Sequence, residues 1–452
     1  MKRKAEGMSA LMEVELPEGS EQRWFDLDRL LQRESPYGNE TGKLALGAFE
    51  PGEETKEFLM SDECKILVIG AGGLGCELLK DLALSGFTDI TVIDLDTIDV
   101  SNLNRQFLFR QKDVGKPKAE VAAEFIRRRV AEVKVTAHYG NIKDFEADFY
   151  SQFSIVISGL DNVEARRWLN SMLCSIVQVD DAGNVDGSTV IPLIDGGSEG
   201  FKGQARVILP RMTSCFECSL DMFPPQRVFP MCTIADTPRL PEHCISYAFM
   251  LQWPKAFPAK KLNKDSPDDM KWVYERALER AQQHGIQGVT YMLTMGVVKN
   301  IIPAVASTNA IIAAACVNEA LKIISYASQT LQTYMLYMGS AGVYTHTFDI
   351  ERKSDCIVCG SQQRTYSLTR ATTLSDFIEE HLVNSSLRMA SPSLTMPSKV
   401  LFMQKPPALR KQTEPNLKLT MGELCGDANA EITVTDPTWR EVCLKAQISF
   451  RA

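Results

Sequence analysis

An α/β fold is predicted for this chain by a small group of features near its start. Two short apolar runs, residues 65–69 and 90–93, have the composition of buried strands. Between them lie a glycine-rich turn, residues 70–75 (GAGGLG), and a helical pattern over residues 76–84. The second strand ends on an acid, Asp94. A strand, a G-x-G-x-x-G turn, a helix, a strand and an acid in this order are typical of a Rossmann-like nucleotide-binding unit.

Each part of this unit has a physical role in binding a nucleotide. Glycines allow positive φ angles and let backbone N–H groups approach an anion, and the helix N-terminus adds the positive end of its dipole. Asp94 can accept hydrogen bonds from a ribose hydroxyl. Two cations, Arg105 and Lys118, lie within reach of the same crevice, and Pro117 predicts a helix start at Lys118. Either cation alone would be interpreted as a solvated basic face, but together they suit a triphosphate better than a bridging diphosphate.

Three stretches resemble the adenylation domain of ubiquitin-like-modifier activating enzymes, whose ThiF/MoeB-like fold also serves bacterial enzymes that adenylate sulfur-carrier proteins. They are the turn 70–75, residues 94–106 (DLDTIDVSNLNRQ) and residues 159–162 (GLDN). The resemblance to the eukaryotic branch covers most of the chain, and within it points to the catalytic subunits that activate the cullin modifier Nedd.

The resemblance implies ATP and Mg²⁺ as cofactors. Asp94 would hold the ribose, and Asn102, Arg105 and Lys118 would hold the phosphates. Asp161 follows the apolar strand 155–158 and would bind magnesium, which takes one or two carboxylates plus phosphate oxygens. The candidate nucleotide-binding residues are Gly70, Gly72, Gly73, Gly75, Asp94, Asp96, Asn102, Arg105, Gln106, Lys118 and Asp161, of which Arg105 and Lys118 are also candidate catalytic groups.

Two C-x-x-C pairs predict a structural zinc site. The pairs are Cys215 with Cys218 and Cys356 with Cys359, and four thiolates suit tetrahedral Zn²⁺. Four protein ligands leave no position for a catalytic water, and the wide gap between the pairs means that the metal would join distant parts of the chain. A redox role is disfavoured because neither pair lies at a strand-to-helix junction.

A cysteine between the pairs is the candidate nucleophile. Cys232 by itself would be interpreted as an inert buried thiol. The resemblance changes this interpretation, because Pro-x-Cys-Thr-Ile is where the family keeps its thioester-forming cysteine. We interpret the nearby His243 and Cys244 as packing residues. The Tyr-x-Arg-Gln segment of single-chain relatives is not found ahead of the glycine turn, so the arginine it carries is expected from a regulatory pseudo-enzyme subunit in a heterodimer.

The overall composition limits the class of protein. A net charge of −8 and a pI of about 5.4 argue against nucleic acid as a partner. Twelve cysteines without a signal peptide predict a reducing, cytoplasmic location, and the basic cluster Lys2-Arg3-Lys4 leaves the nucleus open as a second one. We expect no membrane association, because the most apolar stretch, residues 301–316, is broken by polar residues and predicts a buried helix.

The 452 residues leave room for several domains. We predict an N-terminal extension (1–60), a first part of the adenylation domain (61–210), a mainly helical catalytic-cysteine insert (211–287), a second part of the adenylation domain with a zinc knuckle (288–362), and a C-terminal ubiquitin-like β-grasp domain (363–452). The family uses such a C-terminal domain to recruit its conjugating enzyme. Residues 205–209 predict an edge-like strand bounded by Pro210.

The expected reaction is ATP-dependent adenylation of the Nedd C-terminus, thioester formation on Cys232 and transfer to a conjugating enzyme. Arg206, at a strand end beside the expected path of the modifier's tail, is a candidate specificity residue: ubiquitin carries an arginine near its C-terminus where Nedd carries alanine. A surface arginine without such a role is the alternative.

Three other functions remain open at this point. The catalytic subunit of the SUMO-activating enzyme shares residues 94–109 nearly as well, although the stretches 201–206 and 238–243 favour neddylation. An NAD-dependent oxidoreductase is disfavoured by the paired cations and the zinc pairs. A non-catalytic zinc scaffold is disfavoured because the nucleotide ligands and Cys232 are all present.

Overall fold

The computed structural model describes residues 23–32, 49–180, 182–223, 238–258, 260, 262–263, 266–299, 304–328, 330–426 and 430–451. The chain forms two compact units, Met1–Met222 with Val305–Ala452, and Phe223–Ala304. The predicted insert, 211–287, overlaps the second unit but begins and ends earlier. Two predicted features, the basic cluster Lys2-Arg3-Lys4 and the nucleophile Cys232, lie outside the described residues.

The strands are β1 Lys65–Ile69, β2 Asp89–Asp94, β3 Lys134–Tyr139, β4 Ile155–Ser158, β5 Leu193–Glu199, β6 Lys202–Ile208, β7 Tyr334–Met338, β8 Tyr344–Phe348, β9 Gln363–Leu368, β10 Ser393–Met396, β11 Lys399–Phe402, β12 Ala430–Thr435 and β13 Cys443–Phe450. The helices of the first unit are α1 Phe25–Leu31, α2 Glu53–Leu59, α3 Gly73–Leu84, α4 Lys118–Arg129, α5 Ala147–Tyr150 and α6 Val163–Ile176. Those of the second unit are α7 Pro241–Tyr247, α8 Trp253–Ala256, α9 Pro267–Gln283 and α10 Tyr291–Lys299. The first unit then resumes with α11 Ala306–Ser325, α12 Leu374–Asp376, α13 Pro407–Thr413 and α14 Met421–Cys425.

A mixed eight-stranded sheet is the centre of the first unit, in the order β3-β2-β1-β4-β5-β6-β7-β8. The first five strands run parallel and the last three add as antiparallel neighbours. After Lys65, β1 is apolar and buried, as expected for a strand of a parallel sheet whose two faces are covered by helices. β2 and β4 flank β1 on opposite sides, and their carboxyl ends therefore open the crevice in which sheets of this kind bind ligands.

The position of β6 and the burial of α11 test two predictions made from the sequence. The strand predicted at an edge, β6, lies inside the sheet between β5 and β7, so that prediction is wrong. Pro210 follows the strand and therefore removes no hydrogen bond from the sheet. The buried helix predicted over residues 301–316 is confirmed from Ala306 onward in α11, which packs on α3, β5 and β6, whereas residues 301–303 lie outside the described ranges. By length and composition alone α11 could cross a membrane, but its residues Ile312 and Cys316 belong to the core.

The C-terminal part of the first unit forms a separate five-stranded sheet, in the order β11-β10-β12-β13-β9. β9 and β13 pair in parallel, and the remaining neighbours are antiparallel. α12 continues as a π-helical segment, Phe377–Val383, and buries Leu374, Phe377 and Leu382. A mixed sheet with one amphipathic helix is the arrangement expected for a β-grasp domain.

One buried arginine connects the first C-x-x-C pair to loops of the C-terminal domain. Arg167, on α6, binds Glu217 through Nε–Oε1 at 2.6 Å. Its Nη1 and Nη2 donate to the carbonyl oxygens of Arg388 and Leu387 at 2.7 and 2.6 Å, and its guanidinium lies 5.1 Å from the Trp439 ring. Glu217 lies between the zinc-pair residues Cys215 and Cys218, so a single side chain joins this pair to the C-terminal domain.

The described part of the second unit is helical, as predicted for the insert. α7 and α8 are joined by a π-helical turn, Ala248–Gln252. Their apolar faces pack with α9 and α10 around a core that includes Cys244, Ile245, Trp253, Met270, Val273 and Ala277. Ser266 precedes α9 and caps it, because its side-chain oxygen accepts the N–H of Asp269.

Candidate nucleotide and metal sites

The glycine turn joins β1 to α3 in a geometry that requires glycine. Gly70 has φ +94°, and a Cβ there would lie 3.0 Å from the carbonyl oxygen of Gly159. A Cβ on Gly75 would overlap the carbonyl oxygen of Gly70. Gly72 precedes α3 and no side chain caps this helix, so its first N–H groups and the positive end of its dipole face the crevice.

Asp94 fixes the turn against the end of β2. Its Oδ2 accepts the N–H of Ala71 at 2.6 Å, and its Oδ1 accepts the N–H of Asp96 at 2.7 Å. Burial raises the pKa of the Asp94 carboxyl, although the charge of Lys118 and the two N–H groups lower it in part. Each carboxylate oxygen can accept a second hydrogen bond, so the predicted contact with a ribose hydroxyl is still available.

The predicted phosphate ligands are engaged with neighbours in this structure. Lys118 begins α4 as predicted, and its Nζ lies 2.8 Å from Asp96 Oδ2. Arg105 Nη1 donates to the carbonyl oxygen of Ser101 at 3.1 Å and to Asn104 Oδ1 at 3.0 Å. Asn102 Oδ1 accepts the N–H of Asp99 at 2.9 Å. A phosphate would therefore compete with existing partners of both cations, each of which has further N–H donors.

Gln106 and Asp161 both lie near the glycine turn: Gln106 through its side chain, and Asp161 because it follows β4, which pairs with β1. Gln106 is 3% exposed, its Nε2 lies 3.9 Å from the position of a Cβ on Gly72, and within the described ranges its Oε1 has no hydrogen-bond partner. Asp161 is exposed just after β4, beside Asn162, which caps α6. Because β4 pairs with β1 and Gly159 contacts Gly70, the structure brings this carboxylate to the same end of the sheet.

The four predicted zinc ligands come together. Cys215, Cys218, Cys356 and Cys359 are buried, and their sulfur atoms all lie within 4.8 Å of one another. The Sγ–Sγ distances include 3.6 Å for Cys215–Cys356 and 3.5 Å for Cys218–Cys359. A tetrahedron with Zn–S bonds of about 2.3 Å has edges of about 3.8 Å, so the cluster is compatible with zinc.

Arg206 lies inside β6 and is not at a strand end, which corrects the prediction of its position. It is 3% exposed, and its Nε lies 3.3 Å from Asp195 Oδ2. Its Nη1 donates to Ser219 Oγ at 2.7 Å, and its guanidinium lies 4.7 Å from the Phe216 ring. Burial lowers the pKa of Arg206 and Asp195 opposes this shift. The cation is therefore neither on the surface nor without a counter-ion, and its role in selectivity stays a prediction.

The residues interpreted as packing residues are buried in the second unit. Cys244 is fully buried in its core, and burial raises the pKa of its thiol, as is typical of structural cysteines. His243 is 5% exposed, and its Nδ1 accepts the N–H of Arg239 at 3.1 Å.

Two residues beside the site were not identified from sequence. Arg166 Nη2 donates to the carbonyl oxygens of Leu160 and Gly196 at 2.5 and 2.8 Å and so anchors the turn that carries Asp161. Asn309, on α11, approaches Gly73 closely enough that a Cβ there would collide with its Nδ2. The sequence predicted only core packing for this part of α11. A polar Ser-Thr-Asn triplet at the start of an apolar helix is the sequence feature that could have indicated a binding residue here.

The comparisons with known proteins agree with this architecture. Residues 51–361 match the ThiF family, and residues 367–448 match the E2 binding domain. The chain belongs to the ThiF family. This ThiF-family chain is 52% identical over 423 residues to the NEDD8-activating enzyme E1 catalytic subunit of Dictyostelium discoideum, covering 92% of this chain and 94% of the relative. It is 46% identical to the Drosophila melanogaster Nedd8-activating enzyme E1 catalytic subunit, covering 92% of each.

Several predictions made from the sequence are confirmed by these matches. The ThiF-family chain has an adenylation fold with a ubiquitin-fold-like C-terminal domain, and it is an ATP-using, ubiquitin-like-modifier activating enzyme. Its E2 binding domain indicates a conjugating enzyme as a partner. The SUMO alternative is not favoured, because SUMO-activating enzyme subunit 2 of Dictyostelium discoideum matches only 42% of this chain and 26% of its own length, at 46% identity. The oxidoreductase and the non-catalytic scaffold are not favoured either.

Proposed function

We propose that the chain activates a NEDD8-type modifier as the catalytic subunit of a heterodimer. The observation that carries the proposal is the 52% identity to a NEDD8-activating enzyme E1 catalytic subunit over 92% of the chain. This similarity covers both the nucleotide crevice and the E2 binding domain, which are the parts needed at the first and last steps of the reaction.

In the first step the modifier's terminal carboxylate attacks the α-phosphorus of ATP, and pyrophosphate leaves. The first N–H groups of α3 bind phosphate oxygens, and Asp94 orients the ribose. Lys118 and Arg105 exchange their present partners for phosphate oxygens and stabilise the charge that develops on them. Asp161 would hold a Mg²⁺ ion, which supplies further charge neutralisation when bound.

In the second step the Cys232 thiolate attacks the carbonyl carbon of the adenylate, AMP leaves, and a thioester forms. The acyl group then passes to a conjugating enzyme docked on the C-terminal sheet. A regulatory pseudo-enzyme subunit supplies the additional arginine at the nucleotide. The four-cysteine cluster would hold one structural zinc ion, and the many thiols suit a reducing cytoplasmic or nuclear location.

Thioester formation tests this proposal. Ubiquitin, NEDD8 and SUMO are offered separately with Mg-ATP, with and without a NEDD8-pathway regulatory subunit, and the reducible band is followed on non-reducing gels. We expect a band with NEDD8 in the presence of the partner. A stronger band with SUMO or ubiquitin, or none with NEDD8, would refute the proposal.

A further inference from the structure

Asn309 is a buried amide at the start of α11 whose orientation is fixed. The side chain is 3% exposed, and its Oδ1 accepts a hydrogen bond from Ser198 Oγ at 2.5 Å. The neighbouring Thr308 Oγ1 donates to the carbonyl oxygen of Gly200 at 2.8 Å, which holds the helix start against the turn between β5 and β6. With Oδ1 occupied on the β5 side, Nδ2 is directed towards the glycine turn.

The amide nitrogen reaches the turn at Gly73. A Cβ on Gly73 would collide with Asn309 Nδ2 and would lie 3.5 Å from Arg105 Cγ. The absence of a side chain on Gly73 therefore leaves room for the Asn309 amide, which lies beside Arg105, a predicted phosphate ligand. Nδ2 donates no hydrogen bond to any residue of the described ranges. Buried amide N–H groups are almost always paired, and an unpaired one that faces a crevice is therefore available to a ligand.

The position of Asn309 separates it from Asp94, the predicted ribose ligand. Asp94 ends β2, on one side of β1, whereas Ser198 belongs to β5, on the opposite side. The amide therefore faces the turn from the side away from the ribose ligand. Arg105, Lys118 and the N-terminus of α3 already provide positive charge for the phosphates. The remaining anion in the adenylation reaction is the terminal carboxylate of the modifier.

A neutral donor has the chemistry that this carboxylate needs. A cation would form an ion pair with the carboxylate and lower its nucleophilicity, whereas an amide N–H orients one oxygen and leaves charge on the other. α11 also has no side-chain cap, so the positive end of its dipole adds a moderate attraction for an anion at the same place.

We propose that Asn309 Nδ2 binds one terminal carboxylate oxygen of the modifier and positions the other for attack. The free oxygen forms a bond to the α-phosphorus, the bond between that phosphorus and the bridging oxygen breaks, and pyrophosphate leaves with the electron pair. The oxygen bound to Asn309 becomes the carbonyl oxygen of the acyl adenylate. This inference rests on the proposed function and adds a residue that contacts the acyl substrate.

Modifier-dependent ATP–pyrophosphate exchange by the full heterodimer tests the inference. Asn309→Ala removes the donor, and the NEDD8 concentration for half-maximal exchange should rise about tenfold or more, since hydrogen bonds to charged groups are among the strong ones. The ATP concentration for half-maximal exchange should stay within about twofold, because the phosphate ligands are untouched. Asn318→Ala is the matched control: it makes the same change on an exposed face of the same helix.

A second variant separates substrate contact from packing. Asn309→Asp keeps the shape of the side chain but places a carboxylate next to the substrate carboxylate, so exchange should be weaker than in Asn309→Ala. Equal changes in the NEDD8 and ATP constants, or an Asn309→Asp enzyme as active as wild type, would overturn the inference. A failure of the proposed function would give a different result from a failure of this inference, because the wild-type heterodimer itself would then show no preference for NEDD8 in ATP–pyrophosphate exchange.

Discussion

Replacing Arg206 with glutamine removes a buried cation from a charge cluster in the sheet. Breaking a buried ion pair from one side costs about 3–5 kcal/mol when the other charge is left alone. Asp195 keeps two other partners: Arg166 Nε lies 3.3 Å from its Oδ1, without hydrogen-bond geometry, and Gln204 Nε2 donates to its Oδ2 at 3.0 Å. We therefore expect Arg206→Gln to lower the free energy of unfolding by about 2–3 kcal/mol, including the lost contact with the Phe216 ring.

Thermal unfolding measures this cost. A loss of this size corresponds to a midpoint lower by about 5–10 °C for the domain that contains the sheet. Arg129→Gln makes the same change of charge at an exposed position on α4 and should leave the midpoint unchanged. Asp195→Asn should be more destabilising than Arg206→Gln, because it leaves two buried arginines without their common counter-ion. An Arg206→Gln midpoint equal to that of Arg129→Gln would refute this reasoning.

The same variant tests selectivity. If Arg206 repels the arginine near the C-terminus of ubiquitin, Arg206→Gln should raise exchange with ubiquitin relative to NEDD8. Asp195 already neutralises Arg206, so the repulsion is weaker than between two isolated cations, and the ratio should rise by about tenfold or less. An unchanged ratio in a variant that still folds would exclude Arg206 as a selectivity residue.

The remaining predictions concern the separate half-reactions and the metal cluster. Cys232→Ala should keep modifier-dependent ATP–pyrophosphate exchange and abolish the reducible thioester band, whereas Asp161→Ala should lose both; Cys244→Ala and Cys316→Ala are the controls that keep the band. A reducible thioester in Cys232→Ala would mean that another cysteine is the nucleophile. The chain without its regulatory subunit should exchange pyrophosphate poorly and recover when the partner is added, and full exchange by the monomer would contradict this. Elemental analysis should find one zinc per chain, reduced in Cys356→Ser but retained in Cys425→Ser; equal zinc in both variants would exclude the cluster as the binding site.

Local features of the fold could be predicted from the sequence. β1 has the predicted bounds, Lys65–Ile69, because a continuous apolar run ended by a glycine turn has few other structures available. Lys118 begins α4 as predicted, since Pro117 precedes it and fixes the entry of the helix. Each C-x-x-C pair has the spacing of two ligands for one metal ion, and the four ligands that zinc requires predicted that the two pairs meet.

Long-range contacts could not be predicted in this way. β9 alternates between exposed and partly buried residues, and it forms a strand by pairing in parallel with β13, which lies far along the chain. The burial of Arg206 and its pairing with Asp195 could not be predicted, because nothing in its sequence position shows that antiparallel pairing places the two residues opposite each other. The approach of Asn309 to Gly73 likewise depends on how α11 packs on α3, which the sequence alone does not specify.

Arg167 has a consequence for how the steps of the reaction depend on one another. Its guanidinium binds Glu217, which lies between two cysteines of the cluster, and at the same time donates to two carbonyl groups in a loop of the C-terminal domain. Demetallation that loosens Cys215 and Cys218 would therefore also release the anchor of the domain that receives the conjugating enzyme. The same cysteine segment also contacts the central sheet, because Arg206 donates to Ser219 and lies over the ring of Phe216. Loss of the metal is therefore expected to weaken transfer to the conjugating enzyme through the C-terminal domain, in addition to loosening the sheet that carries the nucleotide crevice.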